Sequence, residues 1–517
     1  MSDSTTEPEK YSIDEMMERL KPRDPSEGKG ELVTRADGSQ AMRVKKRKRR
    51  TKQGDSKESK RNQRLQLIQI SGFVVLLVLA GLLAGIAILY ANSSAYRDGL
   101  LSKAEANSGA KVSFNQFRMN PATANSNQVM LDWPAGNALS TLDVRGVVAK
   151  IAPASFLGKV FKGEEIVAAN GELILQAPSA EEPTAISVSA EGIRSVDFSR
   201  YSIPLLNVFF GKAKLPDSML EATEASLYPG THPGRAEVRL SGGMLKLKGW
   251  PELALDRSYI KIRAGQLDFQ SLRLMKPQQG NNRRGGRGHI DFSGGVKPLD
   301  AGAKHTLSAS VEDFSLAYIL GGDLGRFFMG DVVTNDSPDS NFLTFDPNSP
   351  DTMLLELNIS NSVDSRIDIS QFKFLSYLAL ALEDRWYELP GFESEATAMI
   401  RREGNSLMMS DIRFEQRGRM ALRGSIKNKT GGGIEGQLDI GIPETTIGAA
   451  SNKRLDQLFG EVREGYRWVS LDISGTSAVP ADNFRELYES AENKRASDKP
   501  AISDPAAPDS FESLIDQ

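Results

Sequence analysis

Two short stretches of this chain match motifs of serine acyl-transfer enzymes: Ser258-Tyr259-Ile260-Lys261 reads SxxK, and Lys429-Thr430-Gly431 reads KTG. The nucleophilic serine of such a site opens a helix. Ser258 instead leads into the alternating run Tyr259, Ile260, Lys261, Ile262, Arg263, and no SDN accompanies it, so both matches read as chance. Gly431, Gly433 and Gly436 satisfy GxGxxG, but a dinucleotide fingerprint needs a strand before it and a helix after it. Gln437 to Ile442 alternates as a strand, so these glycines read as a hairpin turn.

The remaining reactive residue types are sparse. The absence of cysteine excludes disulfides, thiolate zinc sites and cysteine nucleophiles. His232, His289 and His305 lie far apart, as surface or core histidines do, and GxSxG, HExxH and P-loop patterns are missing. The acid pairs Glu164-Glu165, Glu181-Glu182 and Glu383-Asp384 hold carboxylates for general acid and base work. Adjacent strand residues point to opposite faces, so these pairs read as solvated edges and helix surface. The expectation is a protein that is not an enzyme, with no cofactor and no metal.

The elements that would position any function start with an apolar run. Ile70 to Tyr90 carries no charge, and at about 1.5 Å per residue its length suits one transmembrane helix. It is longer than a signal-peptide core and follows a long polar stretch. Lys45, Lys46, Arg47, Lys48, Arg49 and Arg50 belong to a basic cluster ahead of it, which predicts a cytoplasmic N-terminus and an exported C-terminal region. That cluster also matches nucleic-acid patches, but beside a span, topology and attraction to anionic lipid account for it, so the expected partner is the bilayer and not nucleic acid. Gly81 and Gly85 form a GxxxG that permits helix association, though glycine is common in such helices, and the oligomeric state stays open.

Four regions follow. Residues 1–64 are polar and charged, expected as a disordered cytoplasmic tail. Within them Tyr11 to Leu20 has a capping-box spacing and one apolar face, a docking helix or a transient one. Residues 65–92 are the membrane helix, 93–493 a β-rich exported domain, and 494–517 a second disordered tail. In the third region short alternating segments recur between turn residues, among them Val112 to Phe117, Val129 to Trp133, Leu142 to Ile151, Gly171 to Leu175, Ile186 to Ala190, Tyr259 to Phe269 and Met420 to Ile426. Period-two alternation predicts a mainly β, antiparallel sheet with one face covered and one wet. Inserted helices (α+β) are predicted at Tyr201 to Lys212, Phe314 to Phe328, Phe372 to Tyr387 and Ala481 to Asn493. The glycine- and arginine-rich Gln278 to Gly288 reads as a flexible basic loop.

The segments Gly109-Ala110-Lys111-Val112-Ser113-Phe114 and Val129-Met130-Leu131-Asp132-Trp133-Pro134, with Leu142-Asp143-Val144, resemble the opening strands of the AsmA-like family. Val469 to Thr476 followed by Pro480 resembles that family's closing strand. The resemblance implies an elongated, curled sheet in the periplasm, anchored in the inner membrane by one helix and serving envelope assembly or maintenance. It further implies an apolar groove for phospholipid, whose candidate lining is Val112, Phe114, Val129, Leu131, Leu142 and Val144. The alternative is a non-enzymatic scaffold that binds envelope proteins or cell wall.

Overall fold

The computed structural model describes residues 31–43 and, apart from intervening segments of which 176–195 and 278–287 are the longest, residues 78–497. The basic cluster Lys45 to Arg50, the Tyr11 to Leu20 segment, Gly81, the strand expected at Ile186 to Ala190 and the tail beyond 497 lie outside the described residues.

The region to Leu82 forms its own unit. In it Glu31–Thr34 and Gln40–Arg43 pair as an antiparallel hairpin, inside the stretch read from sequence as a disordered tail. Asp37-Gly38 supplies the turn: the Asp37 carboxylate accepts from the Ser39 amide (3.1 Å) and hydroxyl (2.8 Å), and Gly38 takes the positive φ of 80° that the turn needs.

The second unit runs from Leu83. Among the described residues no single helix is long and apolar enough to cross a membrane; the described part of the apolar run is the helix Val78–Ala91, and residues 70–77 lie outside. Several of its large side chains are not covered by the rest of the protein, Leu89 being 76% exposed. A break at Asn92 leads to the helix Ser94–Ser108, capped by Ser93, whose hydroxyl accepts from the Tyr96 amide, and closed by left-handed Gly109. The Asn92 side chain acts as a strand neighbour: its amide group donates to the Met119 carbonyl (2.7 Å) and its carbonyl accepts from the Met119 amide (2.7 Å). The helix end is thereby hydrogen-bonded to the first edge of the sheet.

That sheet continues from the strands Lys111–Asn115 and Arg118–Met119 to Glu461–Arg463 and Pro480–Asp482 at the other edge. Neighbours pair antiparallel except at Val196–Phe210, which runs parallel to Phe161–Val167 and Asn170–Leu175. A parallel return needs a crossover of a dozen or more residues, and 176–195 gives the chain that length. Closed rings of pairing arise only where two short strands share one neighbour, as Arg235–Ser241 and Met244–Leu247 do between Ser218–Pro229 and Leu253–Arg263. Among the described residues no pairing joins one edge of the sheet to the other: Lys111–Asn115 and Arg118–Met119 pair only with Thr123–Asp132, and Glu461–Arg463 and Pro480–Asp482 only with Tyr466–Gly475.

The helix expected at Tyr201 to Lys212 is instead the strand Val196–Phe210. Pro204 would remove a helix hydrogen bond and clash with the preceding turn, whereas in the strand it sits at a bulge, where the pairing shifts from Ala225↔Ile203 to Thr223↔Leu206. The single strand expected at Tyr259 to Phe269 is two, Leu253–Arg263 and Gln266–Met275. The other three helices are present as Leu316–Leu324, Lys373–Ala381 with a 3-10 turn at Arg385–Glu388, and Phe484–Ser497. Two short helices, Glu444–Ala449 and Arg454–Leu458, join them.

These helices lie against one face of the C-terminal half of the sheet. Leu316, Leu324, Phe374, Leu378 and Phe484 are fully buried there, with Phe327 stacked on Phe372 at 4.5 Å and Phe328 edge-on to Phe414 at 6.1 Å. Asp482 fastens two of them, accepting from the Phe374 amide (2.9 Å) and the Phe484 amide (3.2 Å), and its burial raises its pKa above the usual carboxylate value.

Candidate functional site

Residues opposite one another in a ladder share a face of the sheet, so register alone traces a surface. From the first edge, Val112↔Leu131↔Leu142↔Leu173↔Val208↔Leu220↔Leu245↔Leu253 form one unbroken apolar row. A second row is Phe114↔Val129↔Val144↔Gly171↔Leu206. Gly171 leaves no gap, because Val144 and Leu206 close over the place its Cβ would occupy, at 3.0 and 3.3 Å. All six groove candidates from the sequence therefore lie on one face and in two adjacent rows.

This face is incompletely covered. Val112 and Val144 are buried at 6% and 7% exposure, and so are Leu206, Val208, Leu220 and Leu253 further along, while Phe114, Val129, Leu131, Leu142, Leu173 and Leu245 are half-buried. With neighbouring strands about 4.8 Å apart, the eight residues of the first row span about 34 Å, longer than the ~15 Å depth of one bilayer leaflet. Sequence reasoning missed the continuation through Leu206, Val208 and Leu220, since it assigned a helix to the strand that carries the first two. Pro204 was the available signal.

The reverse face is polar. Gln128 donates to Asp143 (2.8 Å), Glu165 pairs with Lys150 (3.2 Å) and Arg200 (3.6 Å), and the Arg273 guanidinium meets Asp291 at 3.1 Å. A shallow concavity of about 590 Å³ lies on that side, between Arg200, Tyr228, Arg239 and Tyr259, with Arg239 stacked 4.9 Å from the Tyr228 ring. It is separate from the apolar rows.

On the helix-covered half the same face is dry: Leu357, Ile400, Met409, Leu438 and Leu471 are fully buried. A charged residue shares that face. Arg402 pairs in register with Leu355 and Leu407 and is 6% exposed. Its Nη1 donates to the Gly249 carbonyl (2.8 Å), its Nη2 to the carbonyls of Ile319 (3.2 Å) and Leu320 (3.4 Å), and its guanidinium lies 5.2 Å from the Trp250 ring centre. Left-handed Gly321 interrupts the helix Leu316–Leu324 there, and the two carbonyls before it turn to Arg402. Sequence reading did not single out Arg402, although it occupies the inward phase of Ala396, Ala398 and Ile400.

The motif residues do not converge. Ser258 is a buried strand residue facing the apolar side, and Lys261, three residues on, faces the other. His289 meets Glu312 at 3.4 Å, His305 packs against Phe345 at 5.7 Å, and His232 lies outside the described residues. Glu383 accepts from Ser451 (2.9 Å), while Asp384 caps the 3-10 turn and faces Arg419 at 3.6 Å. Among the described residues no three of His, Asp or Glu gather as metal ligands do.

Compared with known protein families, with curated proteins and with solved structures, the chain matches none.

Proposed function

We propose that this is an AsmA-like, inner-membrane-anchored periplasmic protein whose elongated, curled sheet holds lipid along its apolar face during envelope assembly or maintenance. The observation that carries the reading is the unbroken apolar row from Val112 to Leu253, on which Leu131, Leu142, Leu173 and Leu245 stay half-buried, a surface that acyl chains would dry. The curl is supported by the hydrogen bond from Arg402 to Gly249, because the strand of Arg402 and the strand Leu253–Arg263 that follows the Gly249 turn are separated in the sheet by those at Gln266–Met275, His289–Val296, His305–Glu312, Phe342–Phe345 and Leu354–Asn361. Anchoring is supported by the uncharged run Ile70 to Tyr90 and the basic residues before it. Asn92, bonded to Met119, would then hold the first row near the membrane surface.

Native mass spectrometry of the full chain in nanodiscs tests the reading. Phospholipid is expected to remain bound, and Leu131→Asp is expected to remove it; a chain that carries no lipid, or a folded variant that carries as much, overturns it. A second reading, a scaffold for envelope proteins or cell wall, is favoured by the filled interior of the C-terminal half and gains if lipid is absent while an envelope partner co-purifies.

A further inference from the structure

Neighbouring arginines in one strand have opposite surroundings. Arg401, on the wet face, pairs with Glu356 (3.8 Å) and Glu403 (3.5 Å). Arg402 faces the apolar side with three carbonyl partners, and burial is what pushes its pKa down to about 10, no carboxylate entering the balance. Carbonyl dipoles offset only part of a buried full charge. Of the five N–H groups a guanidinium carries, Nε–H and one on Nη1 take no partner among the described residues.

The position of this charge matters as much as its state. The long apolar row reaches Leu245 and Leu253, which flank the turn holding Gly249 and Trp250, and that turn is what Arg402 grips. A chain lying along the row would bring its head to the turn that Arg402 grips. An apolar row whose last members flank a turn held by a guanidinium with no carboxylate partner matches an amphiphile with an acidic head.

We propose that Arg402 receives the carboxylate or phosphate head of an anionic amphiphile whose chain lies on the Val112 to Leu253 row. This rests on the lipid-binding reading and narrows it to a ligand class. Guanidinium suits both oxyanions because its planar donors meet two oxygens at once.

The test uses the full chain in nanodiscs with matched probes: oleate, oleyl alcohol and inorganic phosphate. The unmodified protein is expected to bind oleate at least about tenfold more tightly than the alcohol. Arg402→Met should abolish that preference while leaving alcohol binding within about twofold, and Arg402→Lys should restore part of it. Equal binding of the two amphiphiles overturns the proposal and leaves the groove standing, whereas binding of neither removes the groove itself. Displacement of oleate by millimolar phosphate would reassign Arg402 to free anions and also overturn it. If Arg402→Met does not fold, the comparison of oleate with alcohol on the unmodified protein decides alone.

Discussion

The strands Thr123–Asp132 and Met420–Lys429 have the same length and similar alternation, yet they live in different surroundings. Leu422 and Ile426 of the second are sealed by residues from distant helices, while Val129 and Leu131 of the first are half-buried. A side chain is fully dried only when something lies across the sheet from it, and each Leu so buried contributes about 1.5–3 kcal/mol. One half of the sheet uses its apolar face to hold the fold together; the other leaves that face partly available. Sealed and partly exposed apolar surface are thus divided along one continuous ladder.

The largest effect expected from that division is on truncation. Leu438→Ala, at a fully buried position, should cost about 3–5 kcal/mol in urea unfolding, against about 1 kcal/mol for Leu142→Ala on the half-open face. Equal losses at the two sites would break the comparison. Next in size, Asn92→Ala removes both hydrogen bonds that tie the helix break to Met119 and leaves that edge amide unpaired, a loss of about 1–3 kcal/mol. Amide exchange should then quicken in Lys111–Asn115 and Arg118–Met119 and stay unchanged in Met420–Lys429; uniform acceleration would mean the halves open as one.

A smaller effect, confined to alkaline solution, probes the sealed half. Burial foremost, with Asp384 nearby, raises the Tyr387 pKa to about 12. Between pH 10 and 12 the unfolded chain loses this proton first, so stability falls as pH rises through that window. Tyr387→Phe should flatten that fall, at the price of about 1 kcal/mol near neutrality for the lost bond to the Arg419 carbonyl. An unchanged alkaline slope would indicate that Tyr387 is not the group responsible.

Alternation by itself determined which residues share a face, because a period of two is a local property of extended chain. It paired Val112 with Phe114, Val129 with Leu131 and Leu142 with Val144 within each strand, while the register of the ladder is what joins the three pairs into one surface. The failure at Tyr201 to Lys212 has a local cause as well: Leu205, Leu206, Phe209 and Phe210 imitate a helical stripe, and a bulge at Pro204 shifts the strand's phase. Which part of the face the helices cover was beyond the sequence. The carbonyl of Leu320 reaches Arg402 across 82 positions of chain, so whether a row is dry core or accessible trough depends on contacts between remote segments. The same holds for the charge on Arg402, an ordinary inward position in its strand until the tertiary fold removes water and offers no carboxylate.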